Sequence, residues 1–154
     1  MIYLQVSSPA FKEGDTIPTK FTADGVDVSP PLVWSGVPQG TKSLALICDD
    51  PDAPMGTWVH WVLYGISADR TSLGEGVPHD GAVKGIGLQG TTDFKHTGYG
   101  GPSPPHGKPH RYYFKLYALD AEPDLKAGAR KRDLEKAMNG HVLAEGKLMG
   151  KYQR

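Results

Sequence analysis

The sequence predicts a mostly β protein, an antiparallel β-sandwich with one or two short helices. Three observations predict it. Several runs alternate at a period of two and are rich in aromatic and β-branched residues, the pattern of strands. The 20 glycines and 13 prolines fall between these runs without a period, so they read as turns joining short strands. Helical periodicity is convincing only once, and helices do not alternate with strands, which argues against a parallel α/β sheet. A chain of 154 residues fits a single domain over 1–154, and no repeat or internal boundary is visible.

The elements follow in order. "MIYLQVS" at the start and "PLVWSGV" from Pro31 are short candidate strands. "KSLALICD" places Leu44, Leu46 and Cys48 on one face and Ala45, Ile47 and Asp49 on the other. "TWVHWVLYGI" places Trp58, His60, Val62, Tyr64 and Ile66 together against Val59, Trp61 and Leu63. It is apolar on both faces, so it reads as a central strand covered on both sides. "HRYYFKLYALD" sets Tyr112, Phe114, Leu116 and Ala118 against Tyr113, Lys115, Tyr117 and Leu119. "GARKRDLEKAMNG" has Leu134, Ala137 and Met138 at helical spacing and stops at Asn139-Gly140. "HVLAEGKLMGKY" reads as a last strand, with Lys147 to Arg154 running into a solvated tail.

Composition excludes several classes. Seventeen basic and seventeen acidic residues balance, and the pI is about 7.0, so no nucleic-acid partner is expected. The basic run "ARKRDLEK" reads as a solvated helix face. Cys48 is the single cysteine, which rules out an intrachain disulfide or a multi-cysteine metal site, and its apolar surroundings predict a buried inert thiol. No stretch approaches ~18 consecutive apolar residues, so no stable membrane insertion is expected. The start lacks a signal-peptide pattern, and a cytoplasmic location follows as an expectation.

Two loops concentrate unusual chemistry. "DPDAPMG" runs from Asp50 to Gly56. "HTGYGGPSPPHGKPH", from His96 to His110, cannot be helical, and its prolines make it stiff. A calcium loop is excluded by prolines at ligand positions and by the lack of a closing glutamate. Zinc would draw on His60, His106 and His110, but no ligand spacing supports it, so neither metal nor cofactor is expected. Asp50 and Asp52 imitate an Asp-x-Asp phosphoryl-transfer motif, yet Pro54 and the missing βαβ alternation oppose that reading. "GPSPP" is not a nucleophile turn. A glycosidase pair of Asp50 and Asp52 stays open, although neighbours in sequence seldom flank a sugar.

A lone histidine in a central strand, as at His60, is most simply a core residue with a satisfied hydrogen bond. If the strand ends adjoin, however, His60, His110, Tyr112 and a carboxylate converge on one concave spot. Such a group suits a small phosphorylated or carboxylated ligand.

The blocks "DGVDVSPPLVWSGVP", "DDPDAPMGTWVHW" and "GYGGPSPPHGKPHRYYFKLYALD" resemble the phosphatidylethanolamine-binding protein (PEBP) family, in its prokaryotic Raf-kinase-inhibitor-like branch. The resemblance spans nearly the whole chain. It implies an antiparallel β-sandwich with a ligand cavity holding Asp50, His60, His110 and Tyr112, walled by Pro54, Pro104 and Pro105. Asp52 would fix the acidic loop. It also implies a cis peptide at Ala53-Pro54 and, by analogy with prokaryotic relatives, a homodimer. The short Met55-Gly56-Thr57 turn, and the absence of a helix after the last strand, imply a more open pocket than in animal members. The expected function is non-catalytic binding of a phosphate or carboxylate group, such as a phospholipid head group or nucleotide. The alternative is inhibition of a kinase or protease through the rigid loops, and a weaker one is a hydrolase using Asp50 with His60 as base. His79, His96 and His141 are expected at the surface, with His106 at the pocket mouth only as the lesser alternative, and Trp34, Trp58 and Trp61 in core or loop packing.

Overall fold

The computed structural model describes residues 2–154. These residues form ten strands and one α-helix: β1 Ile2–Tyr3, β2 Gln5–Ser7, β3 Leu32–Ser35, β4 Ser43–Asp50, β5 Trp58–Ser67, β6 Ser72–Leu73, β7 Ala82–Val83, β8 Gly87–Gln89, β9 His110–Leu119, α1 Lys131–Met138 and β10 Val142–Tyr152. A short 3-10 turn adds Thr19–Phe21. A seven-stranded sheet, β1-β10-β9-β4-β5-β8-β7, packs on a three-stranded sheet, β2-β3-β6. Among these strands pairing is antiparallel except for β1 with β10, which run parallel. The chain crosses from one sheet to the other at buried Leu4, whose N–H donates to the Glu145 carbonyl at 2.9 Å.

Alternation is obeyed along β4 and β9. Leu44, Leu46, Cys48, Phe114 and Leu116 lie between the sheets, while Ala45 and Ile47 lie in the outer layer. Strand β5 departs from the expected faces because it is bulged twice. Asp49 faces Val59 and Cys48 faces Trp61, which leaves His60 as an extra residue. Leu46 faces Leu63 and Leu44 faces Ile66, so a second extra residue falls at Tyr64-Gly65, where Gly65 has φ +68. Trp61, Leu63 and Ile66 therefore share the inner core, and Val62 and Tyr64 go outward. A bulge re-aims side chains locally, and here it turns His60 toward the inner-core ring of Tyr112.

Helix α1 covers the outer face through Leu134 and Met138. Asp133 accepts from the Arg130 N–H at 3.0 Å at its start, and Gly140 (φ +83) ends it. Buried Asp49 ties it to the sheet, with Lys131 at 2.7 Å and Lys115 at 3.1 Å. The first of the three clustered aspartates is thus a fastening for the helix and points away from the pocket side. Leu134→Ala should cost about 2–5 kcal/mol. Thermal unfolding should then show a melting temperature lower by roughly 4–20 °C for a chain of this size.

Residues 152–154 are not a solvated tail. Tyr152 is buried and its hydroxyl donates to Asp24 at 2.7 Å, while Arg154 binds Asp24 and the Pro104 carbonyl. The expectation failed because an arginine at a strand end reads as solvent-seeking, whereas here Asp24, far away in sequence, receives Arg154.

Candidate functional site

The acidic loop begins where β4 ends. Asp50 Oδ1 accepts the N–H of Asp52 at 2.7 Å, an Asx turn. Gly56 N–H then donates to the Ala53 carbonyl at 3.1 Å, with Pro54 at the second turn position. A trans proline suits that position, and no peptide bond among the described residues is cis. This corrects the expected cis bond at Ala53-Pro54.

The inward bend comes from Asp52 instead. Its carboxylate accepts from Arg111 N–H, Nε and Nη2, each at 2.9 Å. The Arg111 side-chain hydrogen bonds hold the Asp52 carboxyl down to about 2. A depressed carboxyl stabilises above its ordinary value of 3.8 and stops doing so as pH falls toward 2. The Arg111 Nε–H resonance should therefore persist through pH 4 and be lost only as pH falls toward about 2.

Asp50 meets β9 across the sheet end. His110 Nδ1 lies 2.7 Å from Asp50 Oδ2, and both residues are buried. His60 Nδ1 lies 2.6 Å from the Gly100 carbonyl. A carbonyl only accepts, so Nδ1 carries the proton and neutral Nε2 keeps a lone pair. That Nε2 is buried without a hydrogen-bond partner. Phe94 and Tyr112 meet the His60 ring edge-on, each at 5.1 Å between centroids. Burial, the largest influence, lowers the pKa of His60 against the opposing pull of the Gly100 bond and Asp50. Burial likewise raises the Tyr112 phenol, with the Asp50 charge adding to it.

These groups line a cavity of about 220 Å³, together with Pro54, Trp58, Phe94, Pro104 and Pro105. That is below the ~300–1,000 Å³ of sites for drug-sized ligands and suits a head group. Asp50, Pro54, His60, Pro104, Pro105, His110 and Tyr112 all contribute to its wall, whereas Asp52 does not and acts on the loop from outside. Among the described residues no cluster of His, Cys, Asp or Glu is arranged to hold a metal ion. A larger depression of about 540 Å³ lies beside the start of α1. There Arg130, Lys131 and Arg132 are interleaved with Asp93 and Glu135, so it does not concentrate one sign of charge.

A family model described as phosphatidylethanolamine-binding protein matches residues 7–153. The chain belongs to the phosphatidylethanolamine-binding protein family. It is 51% identical over 151 residues to a UPF0098 protein of Methanothermobacter thermautotrophicus, covering 98% of this chain and 99% of that one. A crystal structure of a PEBP homolog from Chlamydia trachomatis superposes with a TM-score of 0.90 at 40% identity, covering 100% and 99% of the two chains. The crystal structure of Escherichia coli YbcL, described as a member of the mammalian PEBP family, superposes with a TM-score of 0.91 at 35% identity over 98% of each chain.

In this PEBP chain the sequence reading did not place five of the wall residues, Ala53, Met55, Trp58, Phe94 and Ser103. Trp58 was assigned to packing, yet it lines the cavity, and its Nε1 is buried without a partner. A signal existed, since alternation sets Trp58 on the same face as His60. Phe94 had none, because it lies in the irregular segment "TTDFKH". His106 does not line the cavity, and His79, His96 and His141 are exposed as expected. Among the described residues no helix is long and apolar enough to cross a membrane.

Proposed function

We propose that this PEBP-family protein is a non-catalytic binder of a small phosphate- or carboxylate-bearing group. The observation that carries the reading is the buried pair of His110 and Asp50 beside a buried His60 whose Nε2 has no partner. Asp50 is already compensated, since its two oxygens accept from Asp52 N–H and His110 Nδ1. Its charge therefore orients His110 and leaves the other ring nitrogen for a ligand. The partners of His60 and His110 are a carbonyl and a carboxylate, which fix the orientation of both rings for binding.

Titration with phosphate or phosphoethanolamine at millimolar concentration should move the ring resonances of both His60 and His110, and silence at both would refute the assignment. A neutral His60 Nε2 offers a lone pair, so an anion must bring a proton or induce one. Calorimetry in buffers of different ionisation heat should accordingly show proton uptake, and affinity should rise as pH falls from about 7 toward about 5.5. The ligand-free protein should behave oppositely. A histidine whose folded pKa is depressed costs stability as pH drops below its unfolded value near 6.5.

A second reading is inhibition of a kinase or protease by the pocket rim. It is favoured by Met55, a large apolar side chain that is 95% exposed at the mouth. A pull-down with intact protein should recover a partner and lose it when Pro102 to Lys108 are substituted. Two copies are proposed to pair in solution. Light scattering giving a monomer mass at micromolar concentration would remove that part.

A further inference from the structure

The segment Gly101 to Gly107, which carries the Pro104–Pro105 wall, has no regular structure. Prolines remove backbone donors from it, so its shape must be imposed by neighbours. At its start, Gly101 N–H donates to Asp27 Oδ1 at 2.7 Å and the Pro102 carbonyl accepts from Ala23 at 3.0 Å. At its far end, Gly107 N–H donates to the Arg154 carbonyl at 3.2 Å, and Gln153 Nε2 donates to the Gly107 carbonyl at 2.7 Å. The two anchors are joined by one ion pair. Arg154 Nη2 lies 2.8 Å and Nε 3.1 Å from the two oxygens of Asp24, Tyr152 donates to the same carboxylate, and Arg154 Nη1 reaches the Pro104 carbonyl at 3.3 Å.

We infer that Arg154 is a positioning residue for the pocket, holding the Pro104–Pro105 wall through Asp24 and the Pro104 carbonyl. A planar fork that satisfies a carboxylate and a carbonyl together is a job for arginine rather than lysine. The guanidinium is also near enough to Tyr112 for its charge to be felt there. Two mechanisms therefore compete, a mechanical one and a purely electrostatic one, and they differ in sign. If Arg154 acts by charge alone, neutralising Asp24 should tighten anion binding. If the pair acts as a strap, breaking it from either side should weaken binding.

This inference rests on the anion-pocket reading, and the experiment separates the two. Phosphoethanolamine affinity is measured for the wild type, Arg154→Gln, Asp24→Asn, the double variant and Arg154→Lys. The strap predicts that both single variants bind roughly ten-fold more weakly, that the double is no worse than the weaker single, and that lysine does not restore affinity. Tighter binding by Asp24→Asn, full rescue by Arg154→Lys or unchanged affinity in Arg154→Gln would each overturn it. Amide exchange at Ala23 and Gly107 is followed in the ligand-free proteins, with melting temperatures confirming that each variant folds. Both amides should exchange faster in the single variants. If the wild type binds no phosphoethanolamine, the pocket reading fails alone and exchange decides the strap: unchanged rates at Gly107 and Ala23 would overturn it too.

Discussion

Replacing His110 by alanine should weaken binding of phosphate compounds by about 30-fold or more, corresponding to the ~2–5 kcal/mol typical of truncating one partner of a buried charge pair. Two effects act in the same direction. The cavity loses the ring nitrogen that is free of Asp50, and Asp50, only 3% exposed, loses the partner on Oδ2. An uncompensated carboxylate then faces the incoming anion. Asp50→Asn is a weaker test because its effects oppose each other. It loosens His110, but it also removes a repulsion of roughly 2–3 kcal/mol for charges about 6 Å apart near a protein surface. The decisive measurement is a His60 ring titration in the alanine variant. Affinity equal to wild type would mean that the ligand, if any, binds elsewhere.

The largest effect on stability is expected from Trp61→Ala. The indole is fully buried, meets Tyr99 edge-on at 5.5 Å and donates from Nε1 to Gln89 Oε1 at 2.8 Å. Removing it should cost about 3–5 kcal/mol for the cavity, plus about 1–3 kcal/mol for the orphaned amide oxygen. Gln89 Nε2 also holds the Pro78 and Asp80 carbonyls, so the loss spreads into the loop after β6. Against a total of ~5–15 kcal/mol for a native domain, this is enough to leave much of the chain unfolded at 37 °C. Urea titration of Trp61→Ala set against Trp61→Phe tests the argument. The phenylalanine keeps most of the volume and should lose the smaller part.

The helix and the faces of β4 and β9 were legible because their periods are clean over eight residues or more. Strands β6 to β8 were not, since two or three residues carry no period. Around the site, Asp50, His60, His110 and Tyr112 were legible as chemistry set at strand ends. What brings His60 to Tyr112 was hidden, because a bulge depends on the partner strand and leaves no mark on the strand that carries it. Phe94 was hidden for a similar reason, since its place in the wall is set by contacts with the distant Trp58 and His60. The role of residues 152–154 was invisible because Asp24 and Arg154 lie 130 positions apart.

That separation bears on how the molecule comes into being. A chain still on the ribosome can assemble β4 and β5 as a hairpin early, since their contact is local. The proline-bearing wall cannot be fastened until residues 152–154 are free to meet the 22–27 turn. Ligand competence should thus be acquired in the last kinetic phase of refolding, after most secondary structure has returned.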